Sequence, residues 1–144
     1  MFRIDAEVGT IQHFGNTPYG ERRVIDITGG QVSGPRVNGR ILPGGTDRQS
    51  VRTDGVTDLT ARYSIETEAG GLILVNSDGL RHGPPEVLAA IARGEPVSPD
   101  AYYFRTVMRF ETSDPASAWL NSIIALAKGA REQRRVLLDV YEVL

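Results

Sequence analysis

Two alternating segments hold the residue types best suited to chemistry. Arg62 and Glu66 share one parity, and Arg105, Arg109 and Glu111 share another. Residues two apart lie on one face of a strand, so each set forms a charged stripe. If the stripes face an enclosed space, the groups must pair with each other or with a guest anion, because an unpaired buried charge is strongly destabilising. Arg62 and Arg105 would then clamp an anion, and Glu111 would accept a proton. If the stripes face water, they are a solvated surface, and Leu59, Tyr63, Phe104 and Phe110 fill the core. The alternation is compatible with both orientations.

Other side chains could complete such a site. Tyr63, Tyr103 and Trp119, with Tyr19, offer aromatic walls and polar hydrogens. Asp47, in the run Gly44-Gly45-Thr46-Asp47-Arg48, is a carboxylate expected on a glycine-rich loop. Asp54 is read more simply as the hairpin residue beside Gly55. His13, in a loop after the first strand, and His82, just before a helix, are the two imidazoles and either could act as a base. No G-x-S-x-G elbow accompanies them, which argues against a serine hydrolase triad. Gly29, Gly30 and Gly34 follow no βαβ pattern and open no helix, so a nucleotide fingerprint is not supported. The absence of cysteine removes disulfides, thiolate catalysis and sulfur-ligated zinc. No Asp-rich calcium loop occurs, and neither a metal nor a cofactor is expected.

The elements that must position these residues are mostly strands. The chain has 16 glycines and 8 prolines, and they punctuate it at short intervals rather than forming one linker. Between them lie β-branched and aromatic segments, the spacing of an antiparallel sheet that closes or folds over on itself. Phe2 to Val8 alternates without a break. Arg23 to Thr28 precedes a bulge at Gly29-Gly30, with the strand resuming at Gln31. Val37 to Leu42 is a further strand. Gln49 to Arg52 pairs with Val56 to Thr67 across Asp54-Gly55, a strong hairpin signal. Leu72 to Asn76, Tyr102 to Thr112 and Arg135 to Leu144 complete a set of about eight to ten strands. One short helix begins at Pro84-Pro85-Glu86 and ends at Arg93-Gly94, placed to cover an open end. The pattern over Ser113 to Ala130 suits a helix, although Ile123 to Ala127 also reads as a buried strand.

A length of 144 residues fits one domain, spanning 1–144. With 18 acidic residues spread among 16 basic ones, there is no basic stripe for nucleic acid. All but one of the basic residues are arginine, the exception being Lys128, which suits either bidentate anion binding or a GC-rich codon bias. The apolar runs are too short to span a bilayer, and Met1 to Asp5 lacks the apolar core of a signal peptide. A cytoplasmic location without a membrane partner is therefore expected.

The order of short motifs resembles the domain of unknown function family 3237, small bacterial and fungal proteins. The motifs include Thr17-Pro18-Tyr19-Gly20-Glu21-Arg22-Arg23, Leu42-Pro43-Gly44-Gly45, Ala61-Arg62-Tyr63, Tyr103-Phe104-Arg105-Thr106, Phe110-Glu111-Thr112 and Trp119-Leu120-Asn121. The resemblance covers nearly the whole chain. It implies a closed, mostly antiparallel β-barrel with a small helix near one end, and a strand rather than a long helix after Trp119-Leu120-Asn121. It also implies that Arg62, Arg105, Glu111 and Asn121 occupy recurring polar positions. Arg48 stands where such proteins usually carry an aromatic residue, so a ligand preference is not carried over at that point.

The expectation is therefore an all-β barrel that binds a small molecule carrying a carboxylate, enolate or carbonyl. Arg62, Arg105, Tyr63, Tyr103, Trp119, Asn121 and Asp47 would form the binding set. Proton transfer, isomerisation, cyclisation or elimination would be open to Glu111. A metabolite-binding module without turnover, and a structural protein forming a homodimer, are the alternatives.

Overall fold

The computed structural model describes residues 1–144. Nine strands make one antiparallel sheet: β1 (Phe2–Thr17), β2 (Gly20–Ser33), β3 (Gly39–Ile41), β4 (Gly45–Val51), β5 (Thr57–Thr67), β6 (Leu72–His82), β7 (Tyr103–Thr112), β8 (Ala125–Arg131) and β9 (Arg135–Glu142). Eight of them close a barrel in the order β1, β2, β4, β5, β6, β7, β8, β9, with β9 returning to β1. The ninth, β3, bridges β2 and β5 beyond the start of β4. One α-helix, α1 (Pro85–Ala92), and two 3₁₀ turns, Pro99–Ala101 and Pro115–Ser122, lie in the connections. No helix is long and apolar enough to cross a membrane.

Alternation decides what fills the barrel. Inward positions at the end away from α1 are occupied by Phe2, Ile4, Val32, Ile41, Ile65, Ile73, Val75, Met108 and Val140, all buried. Phe2 and Phe110 meet edge to face at 5.8 Å between ring centroids, and Leu120 from the second 3₁₀ turn is buried in the same core. Each such aliphatic side chain contributes about 1.5–3 kcal/mol by leaving water. This half of the axis is solid.

Glycine permits two close approaches that shape the rest. A Cβ on Gly45 would stand 2.5 Å from Tyr63 Cβ, so a bare backbone lets the start of β4 cross over Tyr63. A Cβ on Gly129 would lie 2.6 Å from the Phe104 ring, which explains the glycine that follows Ala125 and Ala127 in the inward row of β8.

Three expectations change. β1 runs on to Thr17 as a long hairpin with β2, so His13 is a strand residue opposite Arg23 rather than a loop residue. The helix suggested by spacing over Ser113 to Ala130 is instead a 3₁₀ turn followed by β8, as the family resemblance implied. Ile124, which belongs to the helical spacing, is half exposed. Asp47 lies within β4 rather than on a loop.

Candidate functional site

The end of the barrel beneath α1 is polar. On β4, Asp47 and Gln49 point inward two residues apart, and Gln49 Nε2 donates to Asp47 Oδ2 at 2.9 Å. Tyr63 on β5, Ser77 and Arg81 on β6, Thr106 on β7 and Arg131 on β8 face the same space. Together with apolar walls that include Ile25, Leu59, Phe104 and Leu138, they line a cavity of about 40 Å³, room for about three waters. A wider hollow of about 410 Å³ lies outside it, bounded by Arg23, Leu88, Ile91 and Gln133. Ile25, Gln49, Arg81 and Arg131 border both spaces and so form the throat between them.

Buried polar atoms normally find partners inside the protein or in ordered water. Here Asp47 Oδ1, Gln49 Oε1, Tyr63 Oη, Thr106 Oγ1, Arg23 Nε and one terminal nitrogen of Arg131 are buried with no protein partner. They are donors and acceptors available to a guest.

The charges are unusual too. Every ion pair in the molecule is formed by other residues, among them Arg3, Arg40, Arg52, Arg62, Arg93, Lys128 and Arg135. Arg23, Arg81 and Arg131 take part in none. Arg81 is only 8% exposed, its guanidinium 5.6 Å from the centre of the Phe104 ring. Burial, reinforced by the like charge of Arg23, pulls its pKa down to about 10 while Asp47 opposes the shift. It therefore stays cationic at neutral pH. Burial also lowers Arg131, again against the pull of Asp47. The backbone N–H of Arg131 donates to Tyr102 Oη at 2.8 Å, which anchors the strand end that carries it.

Asp47 is shifted in the opposite sense. Desolvation raises its pKa, and the Gln49 hydrogen bond and the fields of Arg81 and Arg131 offset only part of that rise. Burial, with the nearby Asp47 charge, pushes the Tyr63 hydroxyl well above the usual phenol range, so it is a hydrogen-bond donor. A carboxylate with raised proton affinity beside unpaired guanidiniums can accept a proton while the cations stabilise the resulting negative charge. Nowhere do three His, Asp or Glu side chains gather as a metal site would require.

Of the residues expected from sequence, only Asp47 and Tyr63 line this cavity. Arg62 and Arg105 lie on the outer face, because their strands turn the apolar parity inward. Arg62 is 47% exposed and pairs with Asp78 at 3.0 Å. Arg105 donates to the Phe104 carbonyl at 3.0 Å and stands over the Tyr103 ring. Glu111 is exposed on the same outer face, which removes it as a proton acceptor for the lumen. Tyr103 is exposed and stacks on His82 at 4.9 Å. Trp119 packs beneath Arg36 at the solid end. Asn121 accepts from the Thr112 N–H and donates to the Thr112 carbonyl, fastening the 3₁₀ turn to β7.

The residues missed were Arg23, Gln49, Arg81 and Arg131. Arg81 continues the parity of Ile73, Val75 and Ser77, so carrying the alternation of β6 past Asn76 would have exposed it. Arg131 continues Ala125, Ala127 and Gly129, a pattern hidden by the helical reading.

A closed barrel with one solid end and one cationic throat defines a small pocket-bearing β-barrel protein. The chain belongs to the family described as protein of unknown function (DUF3237), whose profile matches residues 1–143. It is 44% identical over 144 residues to the UPF0311 protein blr7842 of Bradyrhizobium diazoefficiens, covering 100% of this chain and 94% of that one. The crystal structure of the conserved protein RPA1785 from Rhodopseudomonas palustris superposes with a TM-score of 0.93 at 40% identity, covering 99% of this chain and 93% of that one. An enzyme from Penicillium herquei shares the fold at a TM-score of 0.70 and 20% identity, covering 98% of this chain and 91% of that one.

Proposed function

We propose that the barrel binds a small organic anion in its throat and acts on it by proton transfer. The observation that carries this reading is the convergence of Arg23, Arg81 and Arg131 on one cavity without a single ion pair among them. Guanidinium forks match carboxylate, enolate and phosphate oxygens, and a guest anion offsets charge that the protein leaves uncompensated. Arg81 and Arg131 hold the guest, Tyr63 donates to it, and Asp47 removes the proton whose loss generates an enolate. Isomerisation, cyclisation and elimination all begin with such a step. The Penicillium herquei barrel supports this reading at the level of fold only, since a shared fold does not carry a shared reaction.

The test is to incubate the purified protein with a metabolite extract, wash it and identify retained molecules by mass spectrometry, with Arg81→Gln as control and circular dichroism to verify folding. The wild type is expected to retain an acidic metabolite or release its isomer, cyclised form or elimination product, and the variant to do neither. Retention without change would leave a binding module and remove the proton-transfer step. Equal behaviour of the two proteins would overturn the site.

A further inference from the structure

Resting on that reading, we infer that the throat is built for a doubly charged anion, an organic phosphate or a dicarboxylate, in preference to a singly charged one. Arg81 and Arg131 bring two positive charges to the throat, Arg23 adds a third from the outer hollow with its Nε buried, and Asp47 is the one carboxylate of the inner cavity. The remaining polar groups of the inner cavity, Gln49, Tyr63, Ser77 and Thr106, are neutral. At the outer rim, Glu21 and His13 are exposed to solvent, and Arg93 is already paired with Glu95 at 2.9 Å. With Asp47 ionised, the enclosed groups therefore carry two uncompensated positive charges.

A buried site that keeps net charge is penalised more than one whose charges cancel and are hydrogen-bonded. A monoanion leaves one charge over. A dianion cancels both, and its extra oxygens match the unpartnered nitrogens of Arg23 and Arg131. The inner cavity admits only a compact group, so the charged head enters the throat while an apolar remainder rests in the outer hollow against Ile11, Leu88 and Ile91. On the outer face the Arg62 guanidinium already has a carboxylate, and the open hollow of about 700 Å³ beside Arg105 also holds Lys128, which is paired with Asp100.

Calorimetric titration of the wild type with four probes of common shape tests the inference. Phenyl phosphate and phenylmalonate carry two charges at about pH 8, and benzenesulfonate and phenylacetate carry one. At least one dianion is expected to bind about tenfold more tightly than either monoanion. Which of the two does so separates phosphate esters from dicarboxylates. Monoanions binding as well as both dianions would overturn the dianion preference and leave the anion site standing. No binding by any probe would overturn the anion site itself. In Arg131→Gln, a partly exposed position chosen to spare the fold, the gap between dianion and monoanion should shrink severalfold. A gap as wide as in the wild type would contradict the charge count.

Discussion

Gln49 Nε2 holds Asp47 Oδ2 at 2.9 Å across one strand repeat, which leaves Asp47 Oδ1 buried, unpartnered and facing the cavity. One oxygen is used for orientation and the other is free for a guest. Gln49→Leu removes a hydrogen bond that favours the ionised form, so the Asp47 pKa should climb further above the ordinary carboxylate range. Carboxyl carbon NMR titration of the variant reads this directly, and an unchanged or lower midpoint would contradict the assigned role of Gln49.

Asp47 should also shape stability. In the unfolded chain it ionises near the ordinary value of about 3.9, but in the barrel burial delays ionisation to higher pH. Between the two values the folded chain holds a proton that the unfolded chain has lost, so stability falls as pH rises through this window. Asp47→Asn abolishes the loss. Its melting temperature should exceed the wild type by a few degrees at neutral pH, and the advantage should vanish below about pH 3.9. A variant less stable at neutral pH would show that the ionised carboxylate is a net stabiliser.

The same titration should govern anion affinity. Protonating Asp47 adds a positive charge to the throat, so a monoanion such as benzenesulfonate should bind more tightly as pH falls through the Asp47 midpoint. The dependence should disappear in Asp47→Asn. Affinity flat with pH in the wild type would separate the anion from Asp47.

Outer-face charges should matter little. Arg62→Ala breaks an exposed pair with Asp78 and should cost less than about 1 kcal/mol in chemical denaturation. Probe affinity should be unaltered. A large loss of binding in Arg62→Ala or Arg105→Leu would return those residues to the site.

Gly45 should tolerate no side chain. Its Cβ would fall 2.5 Å from that of Tyr63, and overpacking of this kind costs about 1–3 kcal/mol. Gly45→Ala should shift the denaturation midpoint accordingly, and an unchanged midpoint would mean that β4 can move aside.

How much was legible follows from what alternation can and cannot say. Period two in β1, β5 and β7 correctly separated two faces, and Asp54-Gly55 correctly marked the β4–β5 hairpin. Alternation does not say which face turns inward. The charged stripes of Arg62 and Arg105 looked like a site, yet closing the barrel over Leu59, Tyr63, Phe104 and Phe110 buries far more apolar surface. The true throat is formed by polar residues at the far ends of apolar stripes: Arg81 after Ile73 and Val75, and Arg131 after Ala127 and Gly129. Each strand contributes only one or two such residues, and only closure of the sheet brings them together. Asp47 and Tyr63 could be named because a glycine-flanked carboxylate and a tyrosine on an apolar stripe are conspicuous one at a time.

The most direct measurement follows the arginine side-chain Nε–Hε resonances by nitrogen-edited NMR while phenylmalonate and phenyl phosphate are each titrated in. Shifts concentrated on Arg23, Arg81 and Arg131 for at least one of them are the predicted result. Shifts on Arg62 and Arg105, or none at the three inner arginines with either probe, would contradict an anion site in the barrel throat.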